Sequence, residues 1–178
     1  MKSKNISIIV WAAAIVMALV VSRILPHPWN FTPIGAAAFW GAFVFRKWWV
    51  GGAVLIAAML LSDAFIGFYQ WQIFVAVYGS FALYAVYGKL AAKYSSSLSQ
   101  WGTALFGSLS FFVITNASVW LFGTLYPKTF DGLIASLVAG IPFYRNMLFG
   151  DVVYIAVPLV VFAVVRAAQK DELVKSVV

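Results

Sequence analysis

The sequence has no cysteine, one histidine and only five acidic residues in 178. Without cysteine there is no disulfide, no thiolate metal site and no cysteine nucleophile. The single His27 has no second histidine or cysteine to share a metal ion, so no metal centre is expected. No serine stands with a partnered histidine in a recognisable catalytic context. No glycine-rich loop ends in a phosphate-binding lysine, so the chain by itself carries no sign of ATP hydrolysis. The leading reading is therefore not an enzyme, with no catalytic residues and no cofactor.

Charge is also scarce. Charged residues make up 10% of the chain, hydrophobic residues 64%, and the mean hydropathy is +0.97. A soluble domain of this length cannot hide that much apolar surface, whereas a bilayer takes it as solvent. The net charge of +7 does not point to nucleic acid, because the basic residues stand singly or in pairs at the ends of apolar runs. Aromatics reach 18%, with eight Trp and eight Tyr, several at segment ends where membrane interfaces favour them. The chain reads as one all-α integral membrane domain over residues 1–178, set in the lipid bilayer.

Apolar runs and turn residues divide it into about six transmembrane helices, at about 6–25, 33–45, 49–67, 71–88, 101–125 and 144–165. The first run reads as a retained helix, since no small-residue cleavage site precedes Arg23. Pro26 and Pro28 end it. Thr32 and Pro33 then read as the N-cap and first position of a short second helix. A short amphipathic piece is expected over about 130–140, and a kink at Pro158. Nine of the twelve basic residues, Lys2, Lys4, Arg46, Lys47, Lys89, Lys93, Arg166, Lys170 and Lys175, fall on one side if both termini are cytoplasmic. Only Arg23, Lys128 and Arg145 fall on the other. That asymmetry predicts an N-in, C-in bundle.

The polar residues embedded in apolar runs gather toward the outer level in this topology. They are Arg23, the loop from His27 to Asn30, Asp63, Asn116, Trp120, Arg145, Asn146 and Asp151. Intramembrane charges face the bundle interior and pair, so the set reads as a polar pocket. The bland reading of each is a snorkelling Arg, a capping Asp or a structural ion pair. Both carboxylates are expected near helix ends, which argues against a proton relay. Small-residue spacings, Ala14 with Ala18, Ala37 with Gly41, Ala38 with Ala42, and Gly51–Gly52, fit close helix packing.

The stretch Arg23-Ile24-Leu25-Pro26-His27-Pro28-Trp29-Asn30-Phe31-Thr32-Pro33-Ile34-Gly35-Ala36 resembles the signature of a family of small bacterial membrane proteins of unknown function grouped under transport. Ser62-Asp63, Val77-Tyr78-Gly79-Ser80-Phe81, Thr115-Asn116 with Trp120, Tyr126-Pro127 and Ile141 to Asn146 leading to Gly150-Asp151 carry the resemblance along the chain. The family is similar in size and helix pattern to the substrate-binding S-components of energy-coupling-factor (ECF) vitamin transporters. The resemblance implies an ECF S-component-like bundle in the bacterial cytoplasmic membrane, with an outer-facing pocket and a separate energising ATPase and transmembrane module as partner. It also implies a docking face at Ala14 and Ala18. The expected function is uptake of a polar or zwitterionic small molecule, a micronutrient or vitamin. Its site would comprise Arg23, His27, Asn30, Asp63, Trp71, Tyr78, Asn116, Trp120, Arg145, Asn146 and Asp151. Arg23 and Arg145 would meet anionic groups, Asp63 and Asp151 cationic or hydroxyl groups, and Trp71 and Trp120 a ring. The alternatives are a membrane enzyme acting on a lipid or isoprenoid through Asp63, Asp151 and His27, and an accessory subunit with no ligand.

Overall fold

A computed structural model of the chain describes the backbone of residues 2–44, 48–93 and 97–175, and side chains over 10, 12–41, 49–93 and 98–156. Six α-helices follow in order: α1 Lys2–Ile24, α2 Ile34–Val44, α3 Trp48–Ile66, α4 Trp71–Ala91, α5 Ser97–Phe122 and α6 Phe130–Lys175. The described residues contain no strand. Phe45, Arg46 and Lys47 lie outside the described residues, as do the side chains of Lys2, Lys4, Arg166, Lys170 and Lys175 on which much of the charge asymmetry rests.

Helices α3, α4, α5 and α6 each contain a stretch long and apolar enough to cross a membrane. Helix α1 contributes the apolar stretch Ala12–Ile24 within the described residues. Helix α2 has 11 residues, about 16 Å at 1.5 Å per residue, and falls well short of a hydrocarbon core. Of about six expected spans, four are thus clear by length and hydropathy among the described residues. The bundle is built with its polar side inward. Ser62, Asp63, Ser80, Ser108, Ser118, Ser136 and Asp151 are buried, whereas Ile56, Leu60, Phe65, Val86, Phe106, Leu109, Ile141 and Phe149 are exposed. An apolar surface of that extent suits lipid and not water.

Short α2 lies at the centre and packs on α3, α4, α5 and α6. Its sequence is rich in Gly and Ala because neighbouring backbones approach closely. A Cβ on Gly51 would stand 2.8 Å from the Gly41 backbone. Gly88 of α4 is held against the backbone of Phe39 in the same way. The first helical acceptor of α2 is Pro33, whose carbonyl takes the Ala37 N–H at 2.8 Å, so the helix begins one residue later than the sequence suggested.

The largest departure from expectation is α6. The predicted amphipathic piece over 130–140 and the helix over 144–165 form one 46-residue helix that runs through Gly140, Pro142 and Pro158. Proline removes one donor from the ladder, but in an apolar environment every other backbone bond is best kept inside the helix. Thr129 caps its start, with Oγ1 accepting the Gly132 N–H at 3.2 Å, and Asp131 sits in the first turn, where the helix dipole favours an anion. At about 69 Å, α6 is more than twice the thickness of a hydrocarbon core. It runs antiparallel to α5: Ser136 meets Asn116, Tyr144 stacks on Phe112, and Asp151 meets Ser108.

Candidate functional site

Arg23 ends α1 and Asp63 lies in the last turn of α3. Gly67, at φ +109, then stops α3 and returns its N–H to the Asp63 carbonyl. The two side chains pair, with Arg23 Nη2 2.7 Å from Asp63 Oδ1. Arg23 Nη1 donates to Ser62 Oγ at 2.5 Å and to the Met59 carbonyl at 3.3 Å, and Tyr78 OH donates to Asp63 Oδ2 at 2.8 Å. Asp63 is 1% exposed and Arg23 16%. Asp63 Oδ2 thus has a hydrogen bond, whereas the buried Oδ1 has none and is compensated by the ion pair alone. Tyr69 stands beside this cluster in the α3–α4 loop. Burial, and then the Asp63 charge, push its phenol up to about 12, so it remains a hydrogen-bond donor.

Next to the pair opens a cavity of about 630 Å³. The α1–α2 connection supplies Leu25, Pro26, His27, Trp29, Asn30 and Thr32. Ile66 and Tyr69 come from the end of α3 and the following loop. Ile73, Val77 and Phe81 come from α4, and Phe111, Thr115 and Val119 from α5. The polar lining is thus concentrated at Arg23, His27, Asn30, Thr32, Tyr69 and Thr115, with apolar walls below. Asn30 occupies the third position of a turn closed by Phe31 N–H to the Pro28 carbonyl at 2.9 Å. Its φ of 62° is a left-handed value that asparagine tolerates better than most residues. His27 Nδ1 lies 2.5 Å from the Leu25 carbonyl and acts as donor there, which leaves Nε2 for another partner. The connection is held to α6 by Trp29 edge-on to Phe143 and by Phe31 against Tyr154.

Asn30, Thr32, Phe81 and Phe111 also wall a second, smaller chamber of about 40 Å³ that reaches Gly35, Met147 and Asp151. Asp151 is 2% exposed. Its Oδ2 accepts from Tyr84 OH at 2.5 Å and from Ser108 Oγ at 2.7 Å, and those two hydroxyls lie 2.7 Å apart. A Cβ on Gly35 would stand 2.7 Å from Asp151 Oδ1, and one on Gly107 2.9 Å from the Tyr84 ring. Both glycines leave space for this cluster. Because α6 starts at Phe130, Asp151 sits about 30 Å along it and level with the middle of α5, not at a helix start as the sequence led one to expect.

Of the expected site residues, the structure brings Arg23, His27 and Asn30 to the large cavity, Asp63 and Tyr78 behind Arg23, and Asp151 to the small chamber. Trp71 is 70% exposed at the start of α4 and lines neither space. Trp120 instead pins a corner, with Nε1 donating to the Pro127 carbonyl at 2.9 Å, while Lys128 Nζ caps α5 by donating to the Trp120 and Gly123 carbonyls. Asn116 donates to the Phe112 carbonyl at 2.8 Å and packs on Gly140. It shares only a narrow void with Asn30 and Thr115. Arg145 is exposed on α6 and Asn146 half-buried, both outside the two spaces. Ala14 and Ala18 are exposed on α1. Thr32, Tyr69, Phe81, Phe111, Thr115, Tyr84 and Ser108 join the site unannounced. The signal available for Tyr84 and Ser108 was a hydroxyl inside an apolar helix, which by itself does not say what it faces. Among the described residues no group of three or more His, Cys, Asp or Glu could hold a metal ion.

The chain belongs to a family of unknown function, DUF6580, whose model matches residues 2–173. No curated protein and no solved structure matches it.

Proposed function

We propose that this chain is a membrane uptake protein of S-component type. It binds a small molecule in the cavity between the α1–α2 connection, α4 and α5, and a separate subunit supplies the energy. The observation that carries the reading is the cavity itself. Its volume of about 630 Å³ falls in the range of small-molecule sites, and it pairs apolar walls with a few convergent polar groups. The bacterial cytoplasmic membrane, the outward opening and the docking face at Ala14 and Ala18 belong to the same proposal.

The geometry changes the expected ligand. Arg23 and Asp63 satisfy each other, so neither is available as a full charge for a zwitterion. Arg145 lies elsewhere. The ligand that suits this lining is largely apolar and uncharged, with a few hydrogen-bonding groups. Its apolar body packs against Ile73, Val77, Phe81 and Phe111, and its polar edge meets His27, Asn30, Thr32 and Tyr69.

The test is purification in mild detergent followed by mass spectrometry of bound compounds. One compound is expected to copurify at near one per chain, to disappear in Val77→Trp, which fills the cavity, and to persist in Trp71→Ala. No copurifying compound, or one retained equally by Val77→Trp, would refute the reading.

A further inference from the structure

The small chamber behind Asn30 and Thr32 ends on a carboxylate with no cationic partner among the described residues. Asp151 lies at mid-length of the bundle and is 2% exposed, where an uncompensated charge is costly. Two hydroxyl donors, Tyr84 and Ser108, converge on Oδ2, an arrangement that solvates a charged carboxylate. Both hydroxyl donors fall on Oδ2 and none of the described residues donates to Oδ1, which Gly35 approaches so closely that a Cβ there would stand 2.7 Å away.

The chamber measures about 40 Å³, enough for one water-sized particle and too small for an organic group. Its polar lining offers oxygen ligands from Asp151, Asn30 and Thr32, with no nitrogen base or thiol among its lining residues. One carboxylate balances one positive charge. Calcium takes six to eight oxygens, often with several carboxylates, and magnesium needs near-ideal octahedral geometry, so neither matches this set. We infer that the chamber is a binding site for one monovalent cation of sodium size, held by Asp151 Oδ1. Because Asn30, Thr32, Phe81 and Phe111 wall both spaces, the large cavity is its route of entry.

The experiment uses the full chain in detergent with no organic ligand added, so its outcome is separate from that of the small-molecule reading. Unfolding is followed by tryptophan fluorescence on raising Na⁺ from about 1 to about 100 mM against choline at constant ionic strength. A rise in Tm of about 3 °C or more is expected, with a smaller response to K⁺. Asp151→Asn should lose the Na⁺ response, and Asp131→Asn, an exposed carboxylate at the start of α6, should keep it. Equilibrium binding of radioactive ²²Na⁺ to the unmodified chain should approach one ion per chain, a readout that does not depend on any variant folding. Equal Tm in sodium, potassium and choline with no ²²Na⁺ bound would overturn the inference. So would a sodium response that survives in Asp151→Asn.

Discussion

Asp63 and Asp151 are equally deep, at 1% and 2% exposure, yet they are accommodated by opposite means. Asp63 closes an ion pair with Arg23 and takes a phenol from Tyr78. Asp151 takes only hydroxyls, from Tyr84 and Ser108, and faces a small empty space. The first carboxylate is internally neutralised and behaves as a tie between the ends of α1 and α3. The second has no cationic partner among the described residues. A buried acidic residue is a functional candidate in proportion to the charge its neighbours leave uncompensated, not to how deep it lies.

The comparison breaks most directly at Arg23. Arg23→Ala strips Asp63 of its counter-charge while leaving it buried, and a destabilisation of about 3–5 kcal/mol is expected. Thermal or denaturant unfolding followed by tryptophan fluorescence reads this directly. Asp151→Asn, which orphans no cation, should cost far less in sodium-free buffer. Equal losses in the two variants would erase the distinction drawn between the carboxylates.

A middle-sized effect is expected at Gly35. Gly35→Ala places a methyl 2.7 Å from Asp151 Oδ1 and 3.3 Å from the Tyr84 ring. Overpacking of this kind costs roughly 1–3 kcal/mol. The same methyl closes the side of Oδ1 that faces the chamber, so the variant should also bind less ²²Na⁺. Gly52→Ala, where a Cβ meets nothing within 4 Å, is the control and should change neither stability nor binding.

The smallest effect belongs to the Asp63 side. Tyr69 has its phenol raised from 10.0 to about 12, by burial first and then by Asp63. A group whose folded value lies above its unfolded value stabilises the fold below the unfolded value and loses that contribution as pH rises through the folded one. Stability should therefore be insensitive to Tyr69 up to about pH 10 and decline between about pH 10 and 12. Comparing the pH–Tm curve with that of Tyr69→Phe isolates the contribution. Coincident curves across that interval would remove Tyr69 from the ion-pair neighbourhood.

Part of this was legible in the sequence. The placement of Arg23, His27 and Asn30 around one space was readable, because a broken, proline-rich connection between apolar runs has to be lined by polar groups at depth. Asp63 stood out as a lone acid near a helix end, for which a structural ion pair was the bland reading, but the sequence did not say which Arg it meets. Trp71 and Trp120 misled, because interface aromatics and pocket aromatics look alike in one dimension. Trp120 bonds the Pro127 carbonyl and Trp71 is exposed. Asp151 was misplaced because the segments at about 130–140 and 144–165 were expected to be separate, which put it near a helix start. In an apolar surround a helix gains more by continuing through a proline than by exposing several backbone groups.

Composition and patterning are enough to set the solvent this chain is made for. Hydrophobic content of 64%, in apolar runs long enough for helices and with most basic residues at their ends, admits few soluble folds and favours helices, each of which satisfies its own backbone in hydrocarbon. The tertiary structure alone decided which polar groups neutralise one another and which do not. Contacts such as Arg23 with Asp63 and Tyr84 with Asp151 join residues far apart in the chain. Their pairing depends on how α2, with its Gly and Ala surface, lets the surrounding helices close around it.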